Sequence, residues 1–188
     1  MTDVNSKTPL SSGSEPSNGV DPSQLLHGDQ ASCRYDLIEL LFFAYRDFTA
    51  MADDRLAEFD FGRAHHRVLH FVHRNPGIMV TDLLTILQIT KQSLGRVLKQ
   101  LVDQDFIEQQ PGPIDRRQRL LHATPKGHEL ASHLVDIQSE LLNRAIKDLP
   151  DDGAALVKQF LIQMLDTDKR DDIVRLVSKT YRPVPPVG

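Results

Sequence analysis

The sequence predicts a mostly α-helical protein with one small β-hairpin. Three observations carry that prediction. Apolar residues recur at three- and four-residue spacing over most of the stretch from 35 to 165. Two short strand-like runs, 106–109 and 119–123, flank the breaker-rich turn Pro111-Gly112-Pro113-Ile114-Asp115-Arg116-Arg117. Hydrophobic residues make up 40% and charged residues 26% of the 188, the balance of a soluble chain with one core.

Several classes fall away at once. The longest apolar runs, such as Leu40-Leu41-Phe42-Phe43-Ala44, are far short of the ~20 residues that span a bilayer, so no membrane role is expected. The N-terminus lacks a basic stretch followed by an apolar one, the pattern of a secretion signal. One cysteine, Cys33, cannot form an internal disulfide. Together these point to a reducing cytoplasm.

The elements follow in order. Residues 1–30 hold six Ser, three Pro and three Gly with few large apolar side chains. Such a stretch cannot bury enough surface to offset its ordering entropy, so 1–32 is expected to be a disordered tail. From 35 to 59, Leu37, Leu40, Leu41, Ala44, Phe48 and Met51 fall mostly on one helical face. Asp60 reads as the cap of a second helix, 62–74, with Ala64, Val68, Leu69 and Val72 inward and Asn75-Pro76-Gly77 as its stop. Thr81 reads as the cap of a short helix carrying Leu83, Leu84 and Leu87. Thr90 then caps a helix to about 104, whose Leu94, Val97, Leu98 and Leu101 form one stripe. Gly95 inside it costs roughly 1 kcal/mol relative to Ala, which a close backbone approach would explain. After the hairpin, Thr124-Pro125 is a strong helix start, a capping hydroxyl followed by proline at the first helical position. That helix carries Leu130, Leu134, Ile137, Leu141 and Ala145 on one face and ends before Pro150. Residues 152–165 and 171–180 read as two further amphipathic helices, and 183–188 as a frayed end.

Two short helices joined by a tight turn, the second polar outside, describe a helix-turn-helix; the hairpin behind it makes the arrangement a winged helix-turn-helix. Opposite the Leu94 stripe lie Lys91, Gln92, Ser93, Arg96 and Lys99. Gln92 has the geometry to bridge an adenine edge and Arg96 a guanine edge. Thr90, Ser93 and Lys99 suit phosphates, which fix register without reading sequence. The hairpin tip offers Arg116, Arg117 and Arg119, one of them for the minor groove, with Asp115 expected to hold it in a bidentate pair. Net charge is −4. From 88 to 126, however, seven cations face four anions, +3 locally and therefore −7 elsewhere. A basic patch on an acidic body fits double-stranded DNA as a partner.

The run 80–101, then Asp115-Arg116-Arg117, then Thr124-Pro125-Lys126-Gly127, resembles the MarR family of bacterial regulators. The resemblance covers roughly 35–166. Its most specific part is the ordered trio of recognition helix, Asp-x-Arg wing and Thr-x-x-Gly opening the next helix. It implies that Arg117 is the wing-tip arginine, Asp115 its partner and 90–99 the reading helix. Ala123 departs from the pattern, where the family usually has leucine. The domain plan that follows is a tail (1–32), a MarR-type domain (33–168) and a C-terminal extension (169–188). Within the domain, 35–59 and 124–166 serve dimerisation and 61–123 is the winged helix-turn-helix. The resemblance implies an obligate homodimer. The residues agree, since 124–165 carries more apolar surface than a small winged domain can cover, and a two-fold pair places two reading helices ~34 Å apart on a pseudo-palindromic operator. A bound dimer that blocks polymerase, hence a repressor, is the expected mode, although the sequence is equally compatible with activation.

Family members often sense small aromatic or phenolic effectors in a cleft between the dimer helices and the winged domain. Here Phe43, Arg46, His66 and His70 are the candidate lining. Arg46 suits a ligand carboxylate, but a structural salt bridge is its expected role. Some members sense peroxide through a cysteine near the first helix. Cys33 is the only candidate, about one helical turn early, with only Arg34 adjacent to lower its pKa. His65, His66, His70 and His73 crowd one helix, and His66, His70 and His73 share a face that suits a metal or haem. No cysteine or carboxylate nearby completes a tetrahedral set, so no cofactor is expected. No Gly-rich phosphate loop, nucleophile motif or paired catalytic carboxylate appears, which argues against an enzyme. The remaining rivals are a metal-, haem- or redox-responsive regulator of the same fold and a helical interaction module without DNA binding.

Overall fold

The structure, a computed structural model, describes residues 34–179. The chain divides into two compact units at Phe42–Phe43, and the first contributes only the start of the first helix to the described part. The expected tail, Cys33 and the end 183–188 lie outside the described residues.

Helix α1 spans Tyr35–Ala50. None of its residues is buried. The single long helix expected to 59 is in fact two. A short α2, Asp53–Ala57, follows α1 and turns Ala52 and Leu56 into the core with no exposed surface. Its end explains Asp60, which adopts the left-handed conformation at φ 57°. The Phe61 N–H donates to the Leu56 carbonyl at 3.0 Å and the Asp60 N–H to the Ala57 carbonyl at 3.1 Å. This is a Schellman closure, so Asp60 stops α2 and does not cap the next helix. Helix α3, Arg63–Arg74, is capped at Gly62, whose N–H donates to His65 Nδ1 at 3.1 Å.

A two-residue strand, β1 (Ile78–Met79), leads directly into α4 (Val80–Leu87). Nothing in the sequence marks this strand, because two residues carry no readable period. Thr81 is not the cap of α4; the Met79 N–H donates to the Asp82 carboxylate at 3.3 Å, and Thr81 lies within the first turn. Helix α5 spans Lys91–Asp103, and here the expected cap is observed: Thr90 Oγ1 accepts from the Ser93 N–H at 3.1 Å. Its Leu94, Val97, Leu98 and Leu101 are all buried. Strands β2 (Ile107–Pro111) and β3 (Arg119–Ala123) form the hairpin, and β1 adds to the free side of β3, giving an antiparallel sheet in the order β1-β3-β2. Ile78 pairs with Leu121 and Gln109 with the same Leu121 from the other side.

Helix α6 spans Pro125–Lys147. The Thr124 hydroxyl accepts from the Gly127 N–H at 3.1 Å and donates to the Asp105 carbonyl at 2.6 Å. Its first half buries Leu130, Ala131 and Leu134; further along, Ile137 and Leu141 are only half-buried and Ala145 is exposed. Helices α7 (Gly153–Gln163) and α8 (Arg170–Val177) complete the described chain. The core joins Leu56, Phe61, Val68, Leu69, Leu83, Leu94, Leu101, Phe106, Leu121 and Leu134. No helix among the described residues is long and apolar enough to cross a membrane.

Candidate nucleic-acid interface

The two faces of α5 separate sharply. Its inner stripe anchors the helix in the core, and Lys91, Gln92, Ser93, Arg96 and Lys99 are all exposed on the other side. The link from α4 is tight: Gln88 takes the left-handed conformation at φ 51° and its N–H returns to the Leu84 carbonyl at 3.0 Å. The cap fixes the first turn further. Thr90 Oγ1 donates to Ser93 Oγ at 2.9 Å as well as accepting from its N–H, which leaves the Ser93 hydroxyl proton for an outside acceptor. Gly95 sits on the exposed face, and a Cβ there would meet nothing within 4 Å. The close approach that its presence suggests therefore has no counterpart among the described residues.

The hairpin tip is more ordered than its composition suggests. The Gly112 N–H donates to the Gln118 carbonyl and the Gln118 N–H to the Asp115 carbonyl, each at 3.0 Å. Asp115 does not grip an arginine guanidinium. Its Oδ1 accepts from the backbone N–H of Arg117 at 2.9 Å, an Asx-type closure that competes successfully with the side-chain pair. Its role is to shape the turn that carries Arg116 and Arg117.

The charge tally also changes in detail. Lys99 is paired with Asp103 one turn along α5. Lys126 donates to the Gln104 carbonyl at 3.0 Å and lies 4.3 Å from the centre of the Phe106 ring, so it closes the domain. Lys91, Arg96, Arg116, Arg117 and Arg119 are exposed and take part in no ion pair among the described residues. These five form the cationic surface.

The residues considered for an effector are split. Arg46 pairs with Asp47 at 2.8 Å and lies over the Phe43 ring at 4.8 Å, the structural role expected for it. Neither Phe43 nor Arg46 borders the cavity that His66 and His70 do line. That cavity, about 230 Å³, also takes in Tyr45, Phe48, Arg67 and Gln138, none of which the sequence singled out as an effector contact. Arg67 donates to the Tyr45 hydroxyl at 2.7 Å. Burial, aided by His70 and Arg67, pushes His66 down to about 4, and burial also lowers His70. Both rings are neutral at pH 7.

The other two histidines look elsewhere. His65 receives the Gly62 N–H on Nδ1, which leaves the proton on Nε2 to donate to Gln100 Oε1 at 2.9 Å. His73 Nδ1 lies 2.8 Å from His128 Nδ1. The four neighbouring histidines thus make different contacts, although His70 and His73 also share a second cavity, and among the described residues no three His, Cys, Asp or Glu converge as metal ligands.

A helix-turn-helix with a bare cationic face, buttressed by a three-stranded sheet whose tip is also cationic, defines a winged helix-turn-helix DNA-binding protein. A MarR family model matches residues 59–118, which run from the end of α2 through the wing turn. The HTH-type transcriptional regulator PetP of Rhodobacter capsulatus is 44% identical over 133 residues, covering 71% of this chain and 80% of that protein. Among solved structures, a MarR mutant from E. coli complexed with operator DNA aligns with a TM-score of 0.56 and 22% identity, covering 70% of this chain and 95% of that one. The S. aureus MepR–DNA complex aligns with a TM-score of 0.58 and 20% identity, covering 70% and 96%. The chain belongs to the MarR family, whose members are transcriptional regulators and not enzymes.

Proposed function

We propose that two copies of this chain bind a pseudo-palindromic operator as a repressor, each inserting α5 into the major groove and the wing into the adjacent minor groove. The observation that carries this reading is the clustering on α5, the wing turn and the start of β3 of five exposed cations that take part in no ion pair among the described residues. In the site, Gln92 and Arg96 face base edges, and Lys91, Ser93 and Arg116 face phosphates. Arg117 enters the minor groove, where a narrow groove concentrates negative potential. Lys99 reaches phosphate only by giving up Asp103, and Thr90 and Asp115 act by shaping the backbone.

Pairing of two chains is supported by the apolar side chains left outside. Leu142 on α6 and Leu156, Phe160, Leu161 and Ile162 on α7 are exposed, as are Leu37, Leu40 and Leu41 on α1. Exposed apolar side chains grouped on a helix face in this way mark an interface, and isologous pairing of two copies is a way to cover them. The cavity beside Arg67 suits a small aromatic acid, its ring among Tyr45, Phe48 and His70 and its carboxylate on Arg67. Occupation would shift the spacing of the two reading helices and release the operator.

Titration of the chain against its own promoter region at several salt concentrations tests the core of this reading. Affinity that falls steeply with salt, and that collapses when Arg96 and Arg117 are both neutralised, supports it. Affinity unchanged in the double variant overturns it.

A further inference from the structure

Ile114 stands at the tip of the wing with 98% of its surface exposed. Every other large apolar side chain between 61 and 123 is buried or half-buried. The remaining exposed large apolar residues lie outside the winged part, on its flanking helices or the links at their ends. The tip that presents Ile114 is also preformed. Pro113 fixes the backbone on one side. On the other, Asp115 closes the turn through its carboxylate and its carbonyl. Gly112 packs so closely behind it that a Cβ would come within 2.7 Å of the Asp115 carbonyl oxygen. A β-branched side chain on such a base has few rotamers to lose on binding. Its flanking neighbours in the turn include Arg116 and Arg117, the unpaired cations of the wing.

We propose that Ile114 is an apolar reader of the minor groove. It rides into the groove with Arg117 and packs on the deoxyribose walls and the groove floor. The proposal rests on the wing contacting DNA, as argued above. An apolar side chain cannot bond to the acceptors on the floor, so its preference is steric: it fits where the floor is bare and is obstructed by the guanine N2 amino group. Ile114 would thus add discrimination against G·C pairs under the wing tip, on top of the electrostatic preference of Arg117 for a narrow groove.

The probe is the duplex of highest wild-type affinity selected from a random-sequence pool, together with versions carrying G·C or inosine·C pairs under the wing. Inosine keeps the major-groove edge of guanine and lacks only the N2 amino group. Ile114→Ser is expected to lower affinity about fivefold, the effect of withdrawing part of one apolar side chain from a contact. The loss should be the same at every salt concentration, since no phosphate partner is removed. The wild-type gain on replacing guanine by inosine should shrink in this variant, and Ile114→Leu should restore both affinity and gain. Thermal stability should not move, because the side chain touches nothing in the free protein. Arg117→Ala serves as the contrast and should flatten the salt dependence. If wild type binds tightly while Ile114→Ser binds within twofold of it and gains equally from inosine, this proposal fails and the DNA reading stands. If wild type selects no duplex at all, both fail.

Discussion

The Nδ1 atoms of His73 on α3 and His128 on α6 lie 2.8 Å apart and join the winged part to the long helix that leaves it. One ring must donate and the other accept, so the contact requires at least one neutral imidazole. Burial, then the nearby His128 and His70, pushes His73 down to about 4 from its ordinary 6.5. Burial lowers His128 as well. In the unfolded chain both rings take up protons around 6.5, and in the folded chain only further down. The unfolded state therefore binds more protons between about 6.5 and 4, and stability falls as pH drops through that window. His66, also held near 4, adds to the same slope. Denaturant midpoints measured from pH 7.5 to 4.5 should decline, and the decline should be shallower in His73→Phe than in wild type. A flat profile in wild type would contradict the pairing.

Arg96 and Arg117 should separate by kind of defect. Arg96→Ala removes a base-edge contact and should cost about 1–3 kcal/mol with relaxed specificity at one position of each half-site. Arg117→Ala should weaken binding while reducing the slope of log affinity against log salt by roughly one per reading head. Equal slopes in wild type and Arg117→Ala would place that guanidinium away from the phosphate field.

Two glycines should respond in opposite directions. Gly127 lies in the first turn of α6, where an added Cβ would come within 2.0 Å of the Phe106 carbonyl oxygen, which is backbone. Gly127→Ala should destabilise by about 3 kcal/mol or more. Gly95→Ala meets only open space and should raise stability by up to about 1 kcal/mol through helix propensity. Chemical denaturation of the two variants side by side checks both. A loss of DNA affinity in the stabilised Gly95→Ala protein would show that the bare backbone is kept for the ligand.

Pairing can be attacked without touching the reading surface. Leu156→Glu with Phe160→Glu places charge on the exposed apolar face of α7. Sedimentation should show a shift from dimer to monomer, and operator affinity should drop by more than tenfold as the two half-sites lose their linkage. A wild-type chain that sediments as a monomer at micromolar concentration would remove the basis for this experiment and for a palindromic operator.

The order of the later helices and the hairpin, the buried stripe of α5 and the two capped starts at Thr90 and Thr124-Pro125 were determined by sequence alone. Each depends on residues within about one helical turn of one another, and their pattern survives in any context. The same holds for the cationic tip, because Pro, Gly and Asp set a turn locally. What the tertiary structure decided depends on partners far along the chain. Strand β1 exists because β3 has a free side. The break between α1 and α2 lets Ala52 and Leu56 reach a core made mostly of later residues. The four histidines that look like one cluster are divided by Gln100 and His128, 35 and 55 residues distant. The carboxylate of Asp115 turned to the backbone because a fixed N–H two residues away needs no side-chain ordering, whereas an exposed arginine must give up its conformational freedom to be held.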